Sequence, residues 1–283
     1  MNKFYIQIVL FLLSISIYVN NKTLATETTP EENTNTTPKK CYPTPEELFE
    51  ENKHLFCANR NEIMNAAKLM REAAAHLEDQ ATSKNGYELC KWSRNFNITL
   101  SRKKDEGNTI IQRVNFKYHH INKYNAIINM LWNPDSEHFL DKDSSKRKIV
   151  RVYSPNLVMI QQRYKSWSEG RDKYFYALAA NVEVSPYETI IVMTSPNIND
   201  GYPSDKEYKN KIIENASLFK TDIDSEDDIR NGEIKKTIVN VAGYFIRKIH
   251  NFVDIIYVES IDGHTSNCRK STIKKALNNF FLL

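Results

Sequence analysis

Arg163-Tyr164-Lys165-Ser166-Trp167-Ser168-Glu169-Gly170-Arg171-Asp172-Lys173-Tyr174-Phe175-Tyr176-Ala177-Leu178-Ala179-Ala180 reads as the end of one strand, a polar turn and the start of a second strand. The turn concentrates serine, glycine and charge, which break regular structure. The second strand is aromatic and then small and apolar. Working outward, further strands are expected at Ile149 to Tyr153, Leu157 to Tyr164, Tyr174 to Val184 and Thr189 to Thr194. Leu157 to Ile160 and Ile190 to Met193 are apolar on both faces, the pattern of strands covered on both sides.

The flanks extend the pattern. Upstream, Thr44-Pro45-Glu46-Glu47 is a capping box with proline at the first helical position. Ile63, Ala67, Met70, Ala74 and Leu77 recur at helical spacing, and Asn85-Gly86 stops that helix. Tyr87 to Thr99 reads as a strand, Lys103 to Asn108 as a turn and Thr109 to Tyr118 as the return strand. Tyr124 to Trp132 is a short helix ended by Asn133-Pro134. Downstream, Ser195 to Arg230 is a polar excursion with one helix expected at Asp205 to Phe219. Strands follow at Thr237 to Ile249 and Val253 to Glu259. Ile273, Ala276, Leu277, Phe280 and Phe281 share one face of a terminal helix, with Lys270, Lys274 and Lys275 off that face. Helices, consecutive hairpins and a last helix make an α+β fold.

At the N-terminus, Lys3 precedes an apolar run from Phe4 to Val19, and small residues end at Ala25. This is the pattern of a signal peptide over residues 1–25. Residues 26–40 hold no large apolar side chain and read as a disordered linker. A helical segment over 41–84 and a main domain over 85–283 complete the organisation. The net charge of +4 is mild and carries no basic stripe, so a nucleic-acid partner is not expected. The protein is expected to be secreted and monomeric.

Four cysteines enter an oxidising route. Cys41 and Cys57 are the nearest pair. One straight helix from Thr44 to Cys57 would hold its ends ~20 Å apart, so this disulfide requires the helix to stop near Asn52. Cys90 and Cys268 read as buried free thiols.

Enzyme signatures fail. Seven scattered glycines form no phosphate loop, and there is no Gly-x-Ser-x-Gly elbow and no His-Glu-x-x-His. His119 and His120 are adjacent and point to opposite faces of a strand. The acidic run Asp222, Asp224, Glu226, Asp227 and Asp228 has Asp227 where a calcium loop needs glycine, so it reads as a solvated loop. No catalytic residue, metal ligand or cofactor is expected, and the chain reads as a binding protein.

The Arg171-Asp172-Lys173-Tyr174-Phe175-Tyr176 strand resembles the Arg-Asp-aromatic strand of START domains. Ala242-Gly243-Tyr244-Phe245-Ile246 is similar to that family's Gly-aromatic strand, and Asn129 to Asp135 is loosely similar to its Trp-Asp element. Val150 to Val158, Tyr174 to Ala180, Thr189 to Ser195, Leu24-Ala25-Thr26-Glu27 and Cys41-Tyr42-Pro43 look like the fam-a multigene proteins of malaria parasites. The resemblance implies a START-like helix-grip fold: a curved antiparallel sheet, a C-terminal helix over a ligand cavity, and a short helical segment in front. It implies a phospholipid ligand, phosphatidylcholine-type, and a transient membrane surface as partners. It implies lipid contacts at Ile160, Tyr164, Arg171, Asp172, Tyr176, Met193, Tyr244, Ile273, Leu277 and Phe280. The family is associated with export, which would take the chain to the parasitophorous vacuole or the host erythrocyte. Two departures stand out. Tyr176-Ala177-Leu178 carries no charged cavity residue, so a head-group contact must come from elsewhere. Lys22 to Glu27 differs from an Arg-x-Leu-x-acid export signal. The competing reading is a host-facing interaction protein with the same fold and a filled core.

Overall fold

A computed structural model describes residues 42–93, 98–104, 109–136, 145–165, 171–204 and 208–262. The expected signal peptide and linker, Cys41, Cys268, the turn at Ser166 to Gly170 and the terminal helix lie outside these residues. The described residues belong to one compact unit beginning at Tyr42.

The lead-in helix α1, Pro45–Glu51, begins as its sequence dictates. The Glu47 amide donates to Thr44 Oγ1 at 3.2 Å, and the Thr44 amide donates to Glu47 Oε2 at 2.7 Å. The helix ends at Asn52, the early stop that a Cys41–Cys57 bridge would need. Cys57 is a half-buried free thiol. Helix α2, Arg60–Thr82, is capped by Asn59 and buries Ile63, Ala67, Met70, Ala74 and Leu77, the stripe its periodicity marks.

The strands are β1 Glu88–Ser93, β2 Ile98–Lys104, β3 Ile110–Tyr118, β4 Lys146–Ser154, β5 Leu157–Tyr164, β6 Lys173–Ser185, β7 Glu188–Thr194, β8 Asn197–Asn199, β9 Lys220–Asp222, β10 Lys235–Lys236, β11 Ile238–Ile249 and β12 Phe252–Asp262. Ten of them form one sheet in the order β1-β2-β3-β12-β11-β7-β6-β5-β4, with β10 running parallel against β6. The remaining pair, β8 and β9, is a small parallel ribbon. Helix α3, Tyr124–Trp132, has the bounds expected of it, and the short α4 covers Asp227–Arg230.

The sheet has two buried faces. One carries Val158 and Ile160, Phe175, Ala177 and Ala179, Ile191 and Met193, Ala242 and Tyr244, Ile255 and Tyr257, Val114 and Phe116, in one cluster with α3. We call this the inner face. Helix α2 covers the outer face, crossing β7 and β11. Gly243 marks the crossing: a Cβ there would stand 2.0 Å from the Ile191 carbonyl oxygen and 2.9 Å from Leu77 Cδ1.

Five expectations need correction. Tyr87 to Thr99 is not one strand: Ser93 pairs with Ile98, so β1 and β2 are antiparallel partners. Lys103 and Lys104 belong to β2, paired with Ile111 and Ile110. The helix expected at Asp205 to Phe219 is irregular over residues 208–213 and a 3-10 turn at Glu214–Leu218. Asn210 explains this. Its Oδ1 accepts from the amides of Ile212 and Ile213, and its Nδ2 donates to the Asn240 carbonyl, a local alternative to helix anchored on β11. The acidic run is not wholly solvated, because Glu226 and Asp228 are bound by Arg163 of β5. Cys90, expected buried, is exposed. His119 and His120 are exposed at the end of β3, as their sequence position suggests.

Candidate functional site

The inner face is the candidate site. Pairing registers show which residues share it. Ile160 lies beside Ala177, and Val158 beside Ala179. Ala179 lies beside Met193, and Met193 beside Ala242. Ile191 lies beside Tyr244, and Tyr244 beside Tyr257. Alanines at 177, 179 and 242 therefore hold the centre, with aromatic and branched residues around them. The same two strands, β6 and β11, carry Tyr174, Tyr176, Leu178 and Phe245 outward. The inner face thus sets three alanines among larger residues, Phe175, Met193, Tyr244 and Tyr257.

Helix α3 covers the end of this face near the β6–β7 hairpin. It is ended by Asn133, whose position before Pro134 disfavours further helix. Its Tyr124 and Thr189 of β7 share a hydroxyl–hydroxyl hydrogen bond of 3.0 Å.

A polar set sits on the same face. Arg147 donates to Gln162 Oε1 from Nε at 3.0 Å and from Nη2 at 2.5 Å. Tyr164 donates to Thr237 Oγ1 at 3.0 Å. Glu259 is 4% exposed and lies between Ala242 and Gln112 in the sheet. Tyr257 donates to Glu259 Oε2 at 2.8 Å, and its ring stands 4.9 Å from that of Tyr244.

Of the expected lipid contacts, Ile160, Met193, Tyr164 and Tyr244 come together here. Tyr176 does not. It is on the outer face, where Gln161 Nε2 donates to its hydroxyl at 2.7 Å and also to Glu226 at 2.7 Å. Arg171 and Asp172 are exposed just before β6, and the Asp172 carbonyl accepts from the Lys235 amide at 2.9 Å. Ile273, Leu277 and Phe280 lie outside the described residues. The sequence pattern does not single out Arg147, Gln162, Tyr257 or Glu259. The signal that could have found Tyr257 and Glu259 is strand alternation: both have the parity of Val253 and Ile255, which face the core.

The outer face is polar where α2 meets the sheet edge. Glu62 accepts from Arg151 Nη1 at 2.6 Å and from the Tyr153 hydroxyl at 2.8 Å. Burial opposes its charge, yet these hydrogen bonds hold its carboxyl below the usual range. Tyr174 donates to Asp200 at 3.0 Å, and Lys236 pairs with Asp200 at 2.8 Å. These hydrogen bonds and ion pairs tie α2, β4, β6 and the loop at Asp200 together. Among the described residues no cluster of three His, Cys, Asp or Glu is placed to hold a metal, and no helix is long and apolar enough to cross a membrane.

No protein-family model matches the chain, and no curated protein matches it in sequence. Solved structures match it in fold. Human StAR-related lipid transfer protein 5 superposes with a TM-score of 0.51 at 10% identity, over 77% of this chain and 98% of that one. Human STARD10 aligns at TM-score 0.47 and 11% identity, over 74% and 76%. The human StarD13 (DLC2) lipid transfer and protein localization domain aligns at 0.44 and 12%, over 73% and 94%. The chain has a START-like helix-grip fold of the α+β class.

Proposed function

We propose that this chain binds a phospholipid of phosphatidylcholine type on the inner face of its sheet and carries it between membranes, making and breaking no bond. The observation that carries this reading is the asymmetry of the sheet. Its inner face is apolar, centred on Ala177, Ala179 and Ala242, and edged by Arg147, Gln162, Tyr164 and Glu259. An acyl chain gains ~0.8 kcal/mol for each methylene moved out of water. The three alanines offer less bulk to it than the larger residues around them. Polar groups at the margin suit a head group.

The apolar run at the N-terminus and the resemblance to fam-a proteins support a secreted monomer that touches membranes transiently. Secretion takes it to the parasitophorous vacuole or the host erythrocyte. Sequencing of the native N-terminus is expected to begin just after Ala25; intact Met1 in a carbonate-resistant membrane fraction would refute secretion.

The test of the function is mass spectrometry of the purified chain under native conditions. The expected result is one bound phospholipid per chain, exchangeable with labelled phosphatidylcholine in vesicles. A protein that purifies empty and stays empty beside vesicles would reject it.

A further inference from the structure

Three carboxylates among the described residues are more than nine-tenths buried: Asp200, Asp254 and Glu259. Two of them have a cation. Lys236 pairs with Asp200 at 2.8 Å, and Arg247 pairs with Asp254 at 2.5 Å. Glu259 has none within ion-pair distance among the described residues. Its hydrogen-bond partner is a phenol, Tyr257. Burying a carboxylate without a cation is costly, so a sequence that keeps one on an apolar face has a use for it.

The surroundings say what that use is. Glu259 sits beside Ala242 and Gln112 in the sheet register, facing inward. Tyr257 and Tyr244 bring two rings whose centroids are 4.9 Å apart. Tyr164 senses the same charge. Burial first, and then Glu259, push its phenol up to about 12 against the pull of its bond to Thr237. A carboxylate beside tyrosine faces attracts a positive, weakly hydrated group, because charge and ring quadrupole act with one sign. It repels an anionic head group.

We infer that Glu259 is the head-group contact of this protein: its carboxylate, with the Tyr257 and Tyr244 rings, takes the ammonium nitrogen of a cationic lipid head group. The inference rests on the proposed lipid-binding function and adds the discriminating residue. It also supplies the charged contact that the Tyr176-Ala177-Leu178 strand lacks.

The test compares uptake from vesicles by the full chain and by its Glu259→Gln variant. Three lipids with identical acyl chains are offered: phosphatidylcholine, phosphatidylglycerol, and the 3,3-dimethylbutyl ester of phosphatidic acid, in which carbon replaces the quaternary nitrogen. Wild-type protein is expected to prefer phosphatidylcholine over the carbon isostere by about tenfold. Glu259→Gln is expected to bring that ratio to about one while still taking up lipid. A wild type that takes up choline lipid and isostere equally overturns the inference, as does a Glu259→Gln variant that keeps the wild-type ratio. Should Glu259→Gln fail to fold, the isostere comparison on wild type decides without it. A wild type that takes up no lipid of any kind rejects the proposed function instead, a different result. Soluble phosphocholine separates a lipid from a free amine: saturable binding of it without lipid uptake overturns the lipid assignment.

Discussion

Gly243 shows how one position ties the sheet to helix α2. Its φ of +149° is open to glycine and strained for other residues. The space where a side chain would go is filled by the Ile191 carbonyl from β7 and by Leu77 from α2. Gly243→Ala must therefore push a strand and a helix apart at once. Strain and overpacking together should cost about 2–4 kcal/mol, read as a lower urea midpoint with an unchanged slope. Glu226 acts through charge. Burial works against its ionised form, but hydrogen bonds from Lys148, Gln161 and Arg163 outweigh burial and hold its carboxyl down to about 2, from an ordinary 4.5. Its contribution is present in full above that ordinary value and is lost as pH falls toward 2. Unfolding free energy should thus drop more steeply from pH 5 to pH 3 in wild type than in Glu226→Gln. The carboxyl is 39% exposed, so the difference should stay below about 1 kcal/mol. Equal slopes would show that this pair adds nothing.

Helix α2 depends on partners that its own sequence does not reveal. Arg113 of β3 donates from Nη1 to the carbonyls of Gln80, Ala81 and Ser83, at 3.2, 3.3 and 2.6 Å, closing the helix C-terminus with a cation. Arg113→Met should cost about 2 kcal/mol and should speed amide exchange in the last turn of α2 more than in its first. Uniform exchange along the helix would mean the clamp is not local. The same contrast between local and distant causes decides what could be read in advance. Helix α3 has the expected bounds because Asn133-Pro134 is a local stop. The helix expected after Asp205 is absent because Asn210 answers to β11, far along the chain. Glu226 and Asp228 read as solvated because their partner, Arg163, lies on another element. Tyr176 was expected to face the ligand, but β6 is buried on both faces, so no polar alternation tells inside from outside. In the sequence Glu259 stands at the end of a strand, where a carboxylate is usually wet. Pairing continues to Asp262 and buries it.

At the scale of the molecule, two readings share one fold. In the first, the inner face keeps room for acyl chains. In the second, it packs solid and the chain serves only as a surface for other proteins. Alanines 177, 179 and 242 separate them, because a bulky side chain at the centre of the sheet must occupy either empty space or atoms. In a solid core Ala177→Phe overpacks the site and should cost about 1–3 kcal/mol. In a lipid carrier the same side chain competes with acyl methylenes instead. Emptied of lipid, the Ala177→Phe protein should then match or exceed the wild type in stability, since added apolar contact fills a void. Its lipid uptake should fall by an order of magnitude, as a benzyl group displaces several methylenes worth ~0.8 kcal/mol each. Ala180→Phe is the control. Ala180 lies on β6 but on the outer face and is fully buried, so it should destabilise the protein under either reading. Delipidated wild type, Ala177→Phe and Ala180→Phe, each measured by urea unfolding and by uptake of labelled phosphatidylcholine, give the comparison. Stability retained with uptake lost, at position 177 only, is the signature of a carrier. Equal destabilisation at 177 and 180 would mean a filled core, and the lipid-transfer reading would give way to the interaction protein.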